Sequence, residues 1–442
     1  MLYRLKIYLP LILSLLIGCS SSSSNEYLPE PEDDKNTQLS DQELLDLVSE
    51  KSFDYFWGFA HPESGMIRER SNGSIDTVTT GGTGFGVMAI IVGIERNYIT
   101  REEGLNRIMK ITDFLENKAT RYHGAWAHWL NGSTGKTIPF SQKDNGGDLV
   151  ETSFLIQGLL TAREYFNSES ENEKSLRNTI TRLWEEVEWD WYAPTDDHLL
   201  WHWSPNYEFE MNLPIRSFNE TMITYILALA SPTHGIDPIV YKNGWIGSEY
   251  IKQLDPKKRN DRGGPLFFTH YSYLGLTPHI RDEHISLAGY QSYFDRNKQH
   301  TLLNREWCIN QKSKYSYYGE NCWGLTASDD PFGYMAHAPG NDNGTISPTA
   351  ALSSIVYTPE LSIKAIRHMY YDLSNYNLFG KYGFKDAFNF HEGWIAKSYL
   401  AIDQGPIVVM IENYRSGLIW KNFMKNNEIS TALEKAGLEL TQ

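Results

Sequence analysis

The sequence of 442 residues is poor in cysteine, in basic charge and in long apolar runs. Its 40 Lys and Arg residues face 55 Asp and Glu residues, which gives a formal net charge of −15. This balance argues against a nucleic-acid-binding protein, which needs a basic surface. Three cysteines without a Cys-x-x-Cys or Cys/His pattern argue against a zinc site. Away from the N-terminus, Cys308 and Cys322 could form a disulfide or stay as buried thiols.

The usual nucleotide and hydrolase motifs are missing as well. The stretch Gly132–Thr137 resembles a phosphate-binding loop, but Leu130 stands where that motif requires glycine. The glycines of Gly81–Gly86 do not have the dinucleotide-binding spacing. His391-Glu392 is followed by Ile395 where a zinc protease has its second histidine, and no Gly-x-Ser-x-Gly elbow occurs. We therefore expect no metal and no cofactor.

The N-terminus has the features of a bacterial lipoprotein leader. Residues 1–18 join a short basic start to an apolar run that is too short for a comfortable membrane span. The run ends in Leu16-Ile17-Gly18-Cys19, which resembles a lipobox with Cys19 as the lipidated residue; secretion with an incidental cysteine is the alternative. The Ser-rich, acidic residues 19–39 are expected to form a flexible tether. Without an acidic cluster directly after Cys19, we favour the periplasmic face of a Gram-negative outer membrane over the cell surface, with the lipid as the only membrane contact.

Helical periodicity dominates residues 40–442, and clear strands are few and short. Nearly uniform apolar helices alternate with amphipathic ones, which is typical of buried helices covered by an outer layer. Roughly a dozen helices in this alternation predict an all-α fold, a closed α/α barrel with long loops at one rim, whereas the repeats of a solenoid are absent. Helices are expected at about 41–59, 82–96, 101–117, 148–165, 176–187, 217–230, 243–253, 284–303, 360–374 and 426–438, with further apolar segments from Ile346 and Gln404.

Acidic residues stand at the start of several apolar helices. Asp148 and Glu151 are three residues apart and share one helix face, and Asp144 precedes them in a Gly-rich loop. Such a cluster raises the pKa of at least one carboxyl group by like-charge repulsion, which suits a general acid. The alternative for Asp148 is helix capping, because aspartate is favoured at a helix start.

Two further carboxyl groups follow the same pattern. Glu220 begins the most apolar helix of the chain, so it should face a cavity or form a buried ion pair with Arg216 or another arginine. Asp403 lies at the turn before another apolar helix, where it could instead be a capping residue.

Aromatic residues are frequent between these carboxyl groups. The chain has 13 Trp, 27 Tyr and 19 Phe residues, with Trp126 and Trp129 before Asp144 and with Trp201 and Trp203 before Glu220. Aromatic rings stack on flat ligands such as sugars and donate hydrogen bonds from their polar tips, although core packing is the simpler explanation for some of them. Carboxyl groups across an aromatic cleft are the apparatus of glycoside hydrolysis.

With these residues in view, the chain resembles the glycoamylase-like family, glycoside hydrolase family 144, over roughly residues 40–440. The resemblance rests on five segments: Thr79–Gly86, the Asp144/Asp148/Glu151 spacing, Ser217–Glu220, Gly264–Phe267 and Ile402–Pro406. It implies a single (α/α)6 barrel and an inverting hydrolase of β-1,2-glucan, acting as an endo-enzyme or as an exo-enzyme that releases sophorose, without a metal.

The resemblance also implies roles for individual residues. Glu220 or Glu151 is expected to be the general acid and Asp148 or Asp144 the base, with Asp403 also on the cleft. The predicted substrate-binding residues are Trp126, Trp129, Trp201, Trp203, Phe218 and Thr83. Three alternatives stay open: hydrolysis of another glycan, a non-catalytic glycan-binding lipoprotein, and a polysaccharide lyase, for which an acidic chain is a poor host.

Overall fold

A computed structural model describes residues 38–247 and 250–441 of the chain. Residues Leu39–Gln442 form one compact unit. The predicted leader 1–18, Cys19 and nearly all of the tether lie outside the described residues, so they stay predictions. Among the described residues, no helix combines the length and the hydropathy that a membrane span requires.

Helices are the main regular structure of the described residues. The α-helices are α1 Asp41–Gly58, α2 Thr80–Glu95, α3 Arg101–Asn117, α4 Leu149–Tyr165, α5 Glu171–Glu185, α6 Met222–Ala230, α7 Pro238–Tyr241, α8 Tyr250–Leu254, α9 Glu283–Leu287, α10 Tyr293–Asn310, α11 Pro348–Leu352, α12 Pro359–Arg367, α13 Ala401–Ser416, α14 Leu418–Phe423 and α15 Asn427–Ala436. Short 3-10 helices span Pro256–Lys258, Leu266–Thr269, Ser353–Val356 and Ser374–Tyr376, and π-helical turns span Lys242–Ile246 and His368–Asp372.

The strands are short, as expected, and lie in the connecting loops. They are β1 Thr77–Thr79, β2 Arg121–Tyr122, β3 Ala125–Trp126, β4 Trp129–Asn131, β5 Thr137–Ile138, β6 Gly147–Asp148, β7 His202–Trp203, β8 Ile280–Arg281, β9 Ala327–Asp330, β10 Gly333–Ala336, β11 Phe379–Gly380, β12 Gly383–Phe384, β13 Phe388–Asn389, β14 Trp394–Ile395 and β15 Glu439–Leu440. All pairs are antiparallel: β1-β4-β5 form a three-stranded sheet, and the others pair as β2-β3, β6-β7, β8-β15, β9-β10, β11-β12 and β13-β14.

The buried helices form a closed ring. Helix α13 packs against α2, α2 against α4, and α4 against α6. Segment 266–274 continues the ring, because the Ser272 hydroxyl contacts the start of α6 and His270 lies 3.0 Å from the Ser354 hydroxyl. The turn that carries Ser354 follows α11 and packs back on α13, which closes the ring. This arrangement confirms the predicted (α/α)6 barrel, although its inner segment 266–274 is only partly helical.

The outer layer covers this ring with amphipathic helices. Helix α1 packs on α13 and α2, α3 on α2, α5 on α4, α15 on α6, and α12 on α11. Helix α1 begins where predicted, since Ser40 and Glu43 form a complete capping box. Helix α5 begins earlier than expected, at Glu171, because the Ser170 side chain caps it.

Two glycines allow α2 and α4 to cross closely. A β-carbon at Gly84 would lie 2.1 Å from the carbonyl oxygen of Phe154, and one at Gly158 would lie 2.2 Å from the carbonyl oxygen of Gly84. Neither position can accept a larger residue without separating the helices. The close crossing brings the beginning of α2 beside the beginning of α4, where the acidic residues stand.

Other predicted helices differ from the observed ones as well. The expected helix 284–303 is interrupted between α9 and α10, where Gly289 has φ +90° and the Ser292 side chain caps the second helix. The expected helix from 217 begins only at Met222. Ser217 adopts φ +60°, and the Asn219 side chain accepts the backbone N–H of Thr221. Glu220 therefore lies in the turn before α6 rather than on the helix.

The structure also describes the two remaining cysteines. Cys308 and Cys322 are buried free thiols, which settles the choice left open by the sequence.

Candidate functional site

A cavity of about 320 Å³ opens at the end of the barrel where the inner helices begin. It combines aromatic side chains with three carboxyl groups, as expected for a cleft that binds a polar ligand with flat faces. Its lining residues are Glu69, Arg70, Thr79, His128, Trp129, Phe140, Glu151, Phe154, Trp201, Glu220, Phe267, Tyr271, Ala327, Tyr334, Leu400 and Ile402.

Glu151 is fixed in the first turn of α4 on the wall of this cavity. Its Oε2 accepts the backbone N–H of Gly81 at 2.7 Å and the Thr79 hydroxyl at 3.4 Å. A β-carbon at Gly81 would lie 2.7 Å from that oxygen, so this contact requires glycine. The other oxygen, Oε1, lies 4.0 Å from Nε2 of His128. Burial raises the pKa of Glu151, although the His128 charge opposes the rise.

Asp148 is a structural anion behind the cavity wall. Its Oδ1 caps α4 by accepting the backbone N–H groups of Val150 and Glu151 at 3.0 and 2.9 Å. Its Oδ2 lies 3.0 Å from Nδ1 of His128 and 3.6 Å from Nε2 of His202. Burial would raise its pKa, but the hydrogen bonds to the two histidines hold the pKa of Asp148 well below its usual range.

Strand pairing brings the second histidine to this aspartate. Residues Asp148 and His202 are register partners in the β6-β7 pair. His202 also lies 3.1 Å from Oδ2 of Asp144, which is likewise buried. Burial would lower the pKa of each histidine, but the pKa of each rises to about 9. For His202 the main cause is its hydrogen bonds to the two aspartates. For His128 the main causes are the charge of Glu151 and the hydrogen bond to Asp148. Two cations therefore neutralise two buried carboxylates at neutral pH.

Glu220 has the opposite environment. It lies on the cavity wall, it is 9% exposed, and its Oε2 has no hydrogen-bond partner among the described residues. Arg216, the expected ion-pair partner, bonds to Asp197 instead. Burial raises the pKa of Glu220 to about 7, a backbone hydrogen bond lowers it slightly, and the nearby charge of Glu151 raises it. A carboxyl group that keeps its proton near neutral pH can act as a general acid.

Asp403 lies in the first turn of α13, next to the cavity-lining Ile402, and is 1% exposed. It does not cap the helix, whose N-cap Leu400 has no side-chain capping bond. A second aspartate, Asp386, faces it, and the charge of Asp403 acts on the cavity-lining Tyr271. Asp403 itself is not among the residues that line the cavity. Helices α6 and α13 are opposite members of the six-element ring, so the turns that carry Glu220 and Asp403 belong to opposite sides of the ring.

The predicted substrate-binding residues divide into three groups. Trp129 and Trp201 line the cavity, and Phe140 packs on Trp129 at 4.9 Å between ring centres. Trp203 is not among the cavity-lining residues and packs edge-on against His123 and Trp191 on the rim. The other three predicted binding residues are buried and not on the described cavity wall: Trp126, Phe218 and Thr83.

Each of these buried residues has a structural contact. The Arg121 guanidinium covers the Trp126 ring at 4.3 Å. The Arg296 guanidinium covers the Phe218 ring at 3.5 Å. The Thr83 hydroxyl donates to the Thr79 carbonyl at 2.6 Å and accepts the backbone N–H of Ile67 at 3.1 Å.

Comparison with known proteins places the chain in a family. The Glycoamylase family model, described as glucoamylase, matches residues 212–427. An endo-β-1,2-glucanase from Chitinophaga pinensis, solved with sophorotriose and glucose, is 52% identical, with a TM-score of 0.86 over 91% of this chain and 99% of that one. The chain belongs to the glycoamylase-like family. The resemblance inferred from the sequence segments is thereby confirmed.

Two further relatives of this glycoamylase-like chain come from Parabacteroides distasonis. A β-1,2-glucanase structure is 45% identical, with a TM-score of 0.85 over 90% of this chain and 60% of that one. A curated protein named exo β-1,2-glucooligosaccharide sophorohydrolase (non-reducing end) is 46% identical over 425 residues, 90% of this chain. The chain spans 58% of the length of that curated relative.

One group in the glycoamylase-like site has donor atoms suited to a metal. A ring nitrogen of His128 and carboxylate oxygens of Asp144 and Asp148 lie within 4.8 Å of one another. These side chains already contact one another or His202: His128 contacts Asp148, and Asp144 contacts His202. The expectation of a metal-free site stays a prediction.

Several residues of the site were not predicted from the sequence. In the sequence, His128 lies between Trp126 and Trp129, and His202 lies between Trp201 and Trp203. Proximity to these predicted substrate-binding tryptophans is a weak signal for a histidine of the site. Glu69 and Arg70 come from an irregular loop before β1, and Asp386 follows the β11-β12 hairpin. These three residues lie in loops, so no helical pattern marks them in the sequence. Their loops meet at the same rim only when the barrel closes.

Proposed function

We propose that this protein is a glycoside hydrolase that cleaves β-1,2-glucan. The observation that carries the proposal is Glu220, a buried carboxyl group on the wall of an aromatic cleft, whose Oε2 has no hydrogen-bond partner among the described residues. The named activities of the Chitinophaga pinensis and Parabacteroides distasonis relatives support the substrate class. The barrel, the cleft and the carboxyl groups together fit acid/base hydrolysis of a glycosidic bond.

In the proposed mechanism Glu220 is the general acid. Burial and the charge of Glu151 keep its pKa near 7, so a large fraction carries a proton at neutral pH. This proton passes to the glycosidic oxygen as the bond to the anomeric carbon breaks. Glu151, held through its Oε2, adds negative charge beside the oxocarbenium-like transition state.

We assign the base to Asp403 and an inverting course to the reaction. Inversion requires the acid and the base on opposite faces of the sugar, and the positions of α6 and α13 in the ring supply this arrangement. Water attacks the anomeric carbon, and its proton passes to Asp403. Asp148 and Asp144 are less suited to this step, because histidines and the α4 cap already occupy the Asp148 oxygens, while Asp144 pairs with His202.

A product profile on linear β-1,2-glucan tests this function, with starch and laminarin as parallel substrates. We expect cleavage of β-1,2-glucan alone. A ladder of oligomers would indicate endo action, and a single disaccharide would indicate exo action that releases sophorose. Proton NMR at early times should show the α-anomer first, as inversion of a β-linkage requires. Cleavage of starch or laminarin in place of β-1,2-glucan would overturn the substrate, and an initial β-anomer would overturn inversion.

We also propose that the protein is lipid-anchored through Cys19, on the periplasmic face of a Gram-negative outer membrane. The support is the apolar run that ends in Leu16-Ile17-Gly18-Cys19. In cells fed an alkyne fatty acid, the wild-type protein should become labelled and fractionate with membranes, and Cys19→Ala should do neither. External protease should spare the wild-type protein in intact cells. Labelling that persists in Cys19→Ala would refute the anchor, and cleavage in intact cells would refute the periplasmic face.

A further inference from the structure

Asp386 is a buried carboxyl group to which neither the sequence nor the proposed mechanism gives a role. It is 2% exposed and lies in the loop before β13. Its Oδ2 accepts the backbone N–H of Asp329 at 2.7 Å, but its Oδ1 meets no donor among the described residues. Both oxygens of Asp403 likewise lack a nitrogen or hydroxyl donor there. The two side chains are hydrogen-bonding neighbours.

A hydrogen bond between two carboxyl groups requires a proton on one of them. Two ionised carboxylates in hydrogen-bond contact in a buried site would repel each other strongly, and each would have oxygens without a hydrogen-bond donor. One shared proton removes the repulsion and satisfies one oxygen of each group, since one group then donates to the other. The single arginine nearby does not replace this proton, because Arg70 already pairs with Glu69 and Asp329, at 2.8 Å in each case.

We propose that Asp386 and Asp403 share one proton and act as a single proton acceptor, in which Asp386 is the positioning residue for Asp403. This inference rests on the proposed function, which makes Asp403 the base. The resting pair holds one proton and one negative charge. When water attacks the anomeric carbon, the pair takes up the water proton and becomes neutral, while Glu220 gives its proton to the leaving oxygen, so the proton count balances.

The surroundings of the pair favour proton uptake near neutral pH. Burial and the charge of Asp329 raise the pKa of Asp386 to about 7, although bonds from Asp329 and Asp403 oppose the rise. Burial and the charge of Asp386 raise the pKa of Asp403 well above its usual range. Two carboxyl groups in hydrogen-bond contact gain and lose their protons as a pair. A base that titrates near the working pH is efficient.

The other ionisable groups that face the pair also act on its charge. They are Asp329 and Arg70 beside it, Tyr271 and Tyr334 on the cleft wall, Tyr55 from α1, and Glu69 beyond Arg70. Arg70 is the only cation in this group of described residues, and it opposes the rise for both aspartates. The tyrosines stay neutral because the pKa of a tyrosine lies well above neutral pH, so the negative charge of the pair changes mainly with its own proton.

The test is the pH dependence of kcat/KM for Asp386→Asn. The amide leaves Asp403 as the only proton acceptor and offers it a fixed N–H donor that stabilises its ionised form, so the pKa of Asp403 should fall. We expect the acidic limb of the profile to move to lower pH by at least one unit, with kcat lowered about 10-fold or more because the base is weaker. Asp282→Asn is the matched control, since Asp282 is a buried carboxyl group outside the cleft that accepts the Tyr293 hydroxyl. Its pH profile should match that of the wild-type protein.

A second measurement needs no substrate, and its first result comes from the wild-type protein alone. Infrared spectra of the wild-type protein with labelled aspartate should retain a protonated-carboxyl band at pH 6, which Asp386→Asn and Asp403→Asn each weaken. A profile of Asp386→Asn that coincides with the wild-type one, or a wild-type protein without that band, would refute the shared proton. Failure to cleave β-1,2-glucan with the band present would instead refute the proposed function and leave the proton pair standing.

Discussion

Replacing Glu220 with glutamine should lower kcat on β-1,2-glucan by about 10²–10⁴-fold, the usual contribution of a general acid. The amide keeps the size of the side chain but cannot give a proton to the glycosidic oxygen. Thermal stability should be unchanged or slightly higher, because the amide replaces a buried carboxyl group whose Oε2 lacks a hydrogen-bond partner among the described residues. Steady-state kinetics together with a thermal melt measure both effects.

The leaving group distinguishes loss of the acid from loss of the site. An aryl sophoroside with an acidic phenol needs little protonation, so Glu220→Gln should hydrolyse it at a rate close to wild type. Glu210→Gln is the matched control, because Glu210 is an exposed carboxylate that pairs with Lys143 on the same side of the barrel. A Glu220→Gln enzyme with wild-type kcat on the glucan would remove Glu220 from the mechanism.

The second large effect concerns stability. Asp148→Asn should lower the free energy of unfolding by about 3 kcal/mol, because it leaves the buried His202 and the partly buried His128 without their shared carboxylate. Asparagine still caps a helix, so Asp148→Ala should cost about 1 kcal/mol more through loss of the α4 cap. Urea denaturation at pH 7 measures both values.

A capping aspartate without histidine contacts serves as the control. It separates the contribution of the helix cap from the contribution of the histidine contacts to the stability that Asp148 provides. Asp237 caps α7 by accepting the backbone N–H of Ile239 at 2.8 Å and has no histidine partner in the described ion pairs. Asp237→Ala should therefore cost only about 1 kcal/mol, and Asp237→Asn almost nothing. If Asp148→Asn were as stable as the wild-type protein, the histidines would not depend on the Asp148 charge.

Local signals in the sequence predicted the barrel well. The capping box of Ser40 and Glu43 marks the first helix, and uniform apolar segments mark α2, α4, α6 and α13 as buried. The carboxyl groups at the beginnings of these helices gather at one end of the barrel because the inner helices all begin there. The same rule explains why Glu151 and Glu220 line the cavity.

Partners that are distant in the chain could not be predicted in this way. Nothing near Asp148 indicates that His202 will lie opposite it, because the β6-β7 pair forms only when two loops meet. Asp386 comes from a loop without helical pattern and meets Asp403 only after the ring closes. Trp126 and Phe218 show the reverse case, since aromatic residues near predicted site residues are here core residues covered by arginines.

The most direct test of the central claim is a crystal structure of Glu220→Gln with a β-1,2-glucan oligosaccharide. The account predicts a glycosidic oxygen within about 3 Å of the residue 220 amide. It also predicts that the anomeric carbon faces Asp403, with room for one water molecule between them. An oligosaccharide bound elsewhere on the barrel, or bound in the cleft with residue 220 away from every glycosidic oxygen, would contradict the account.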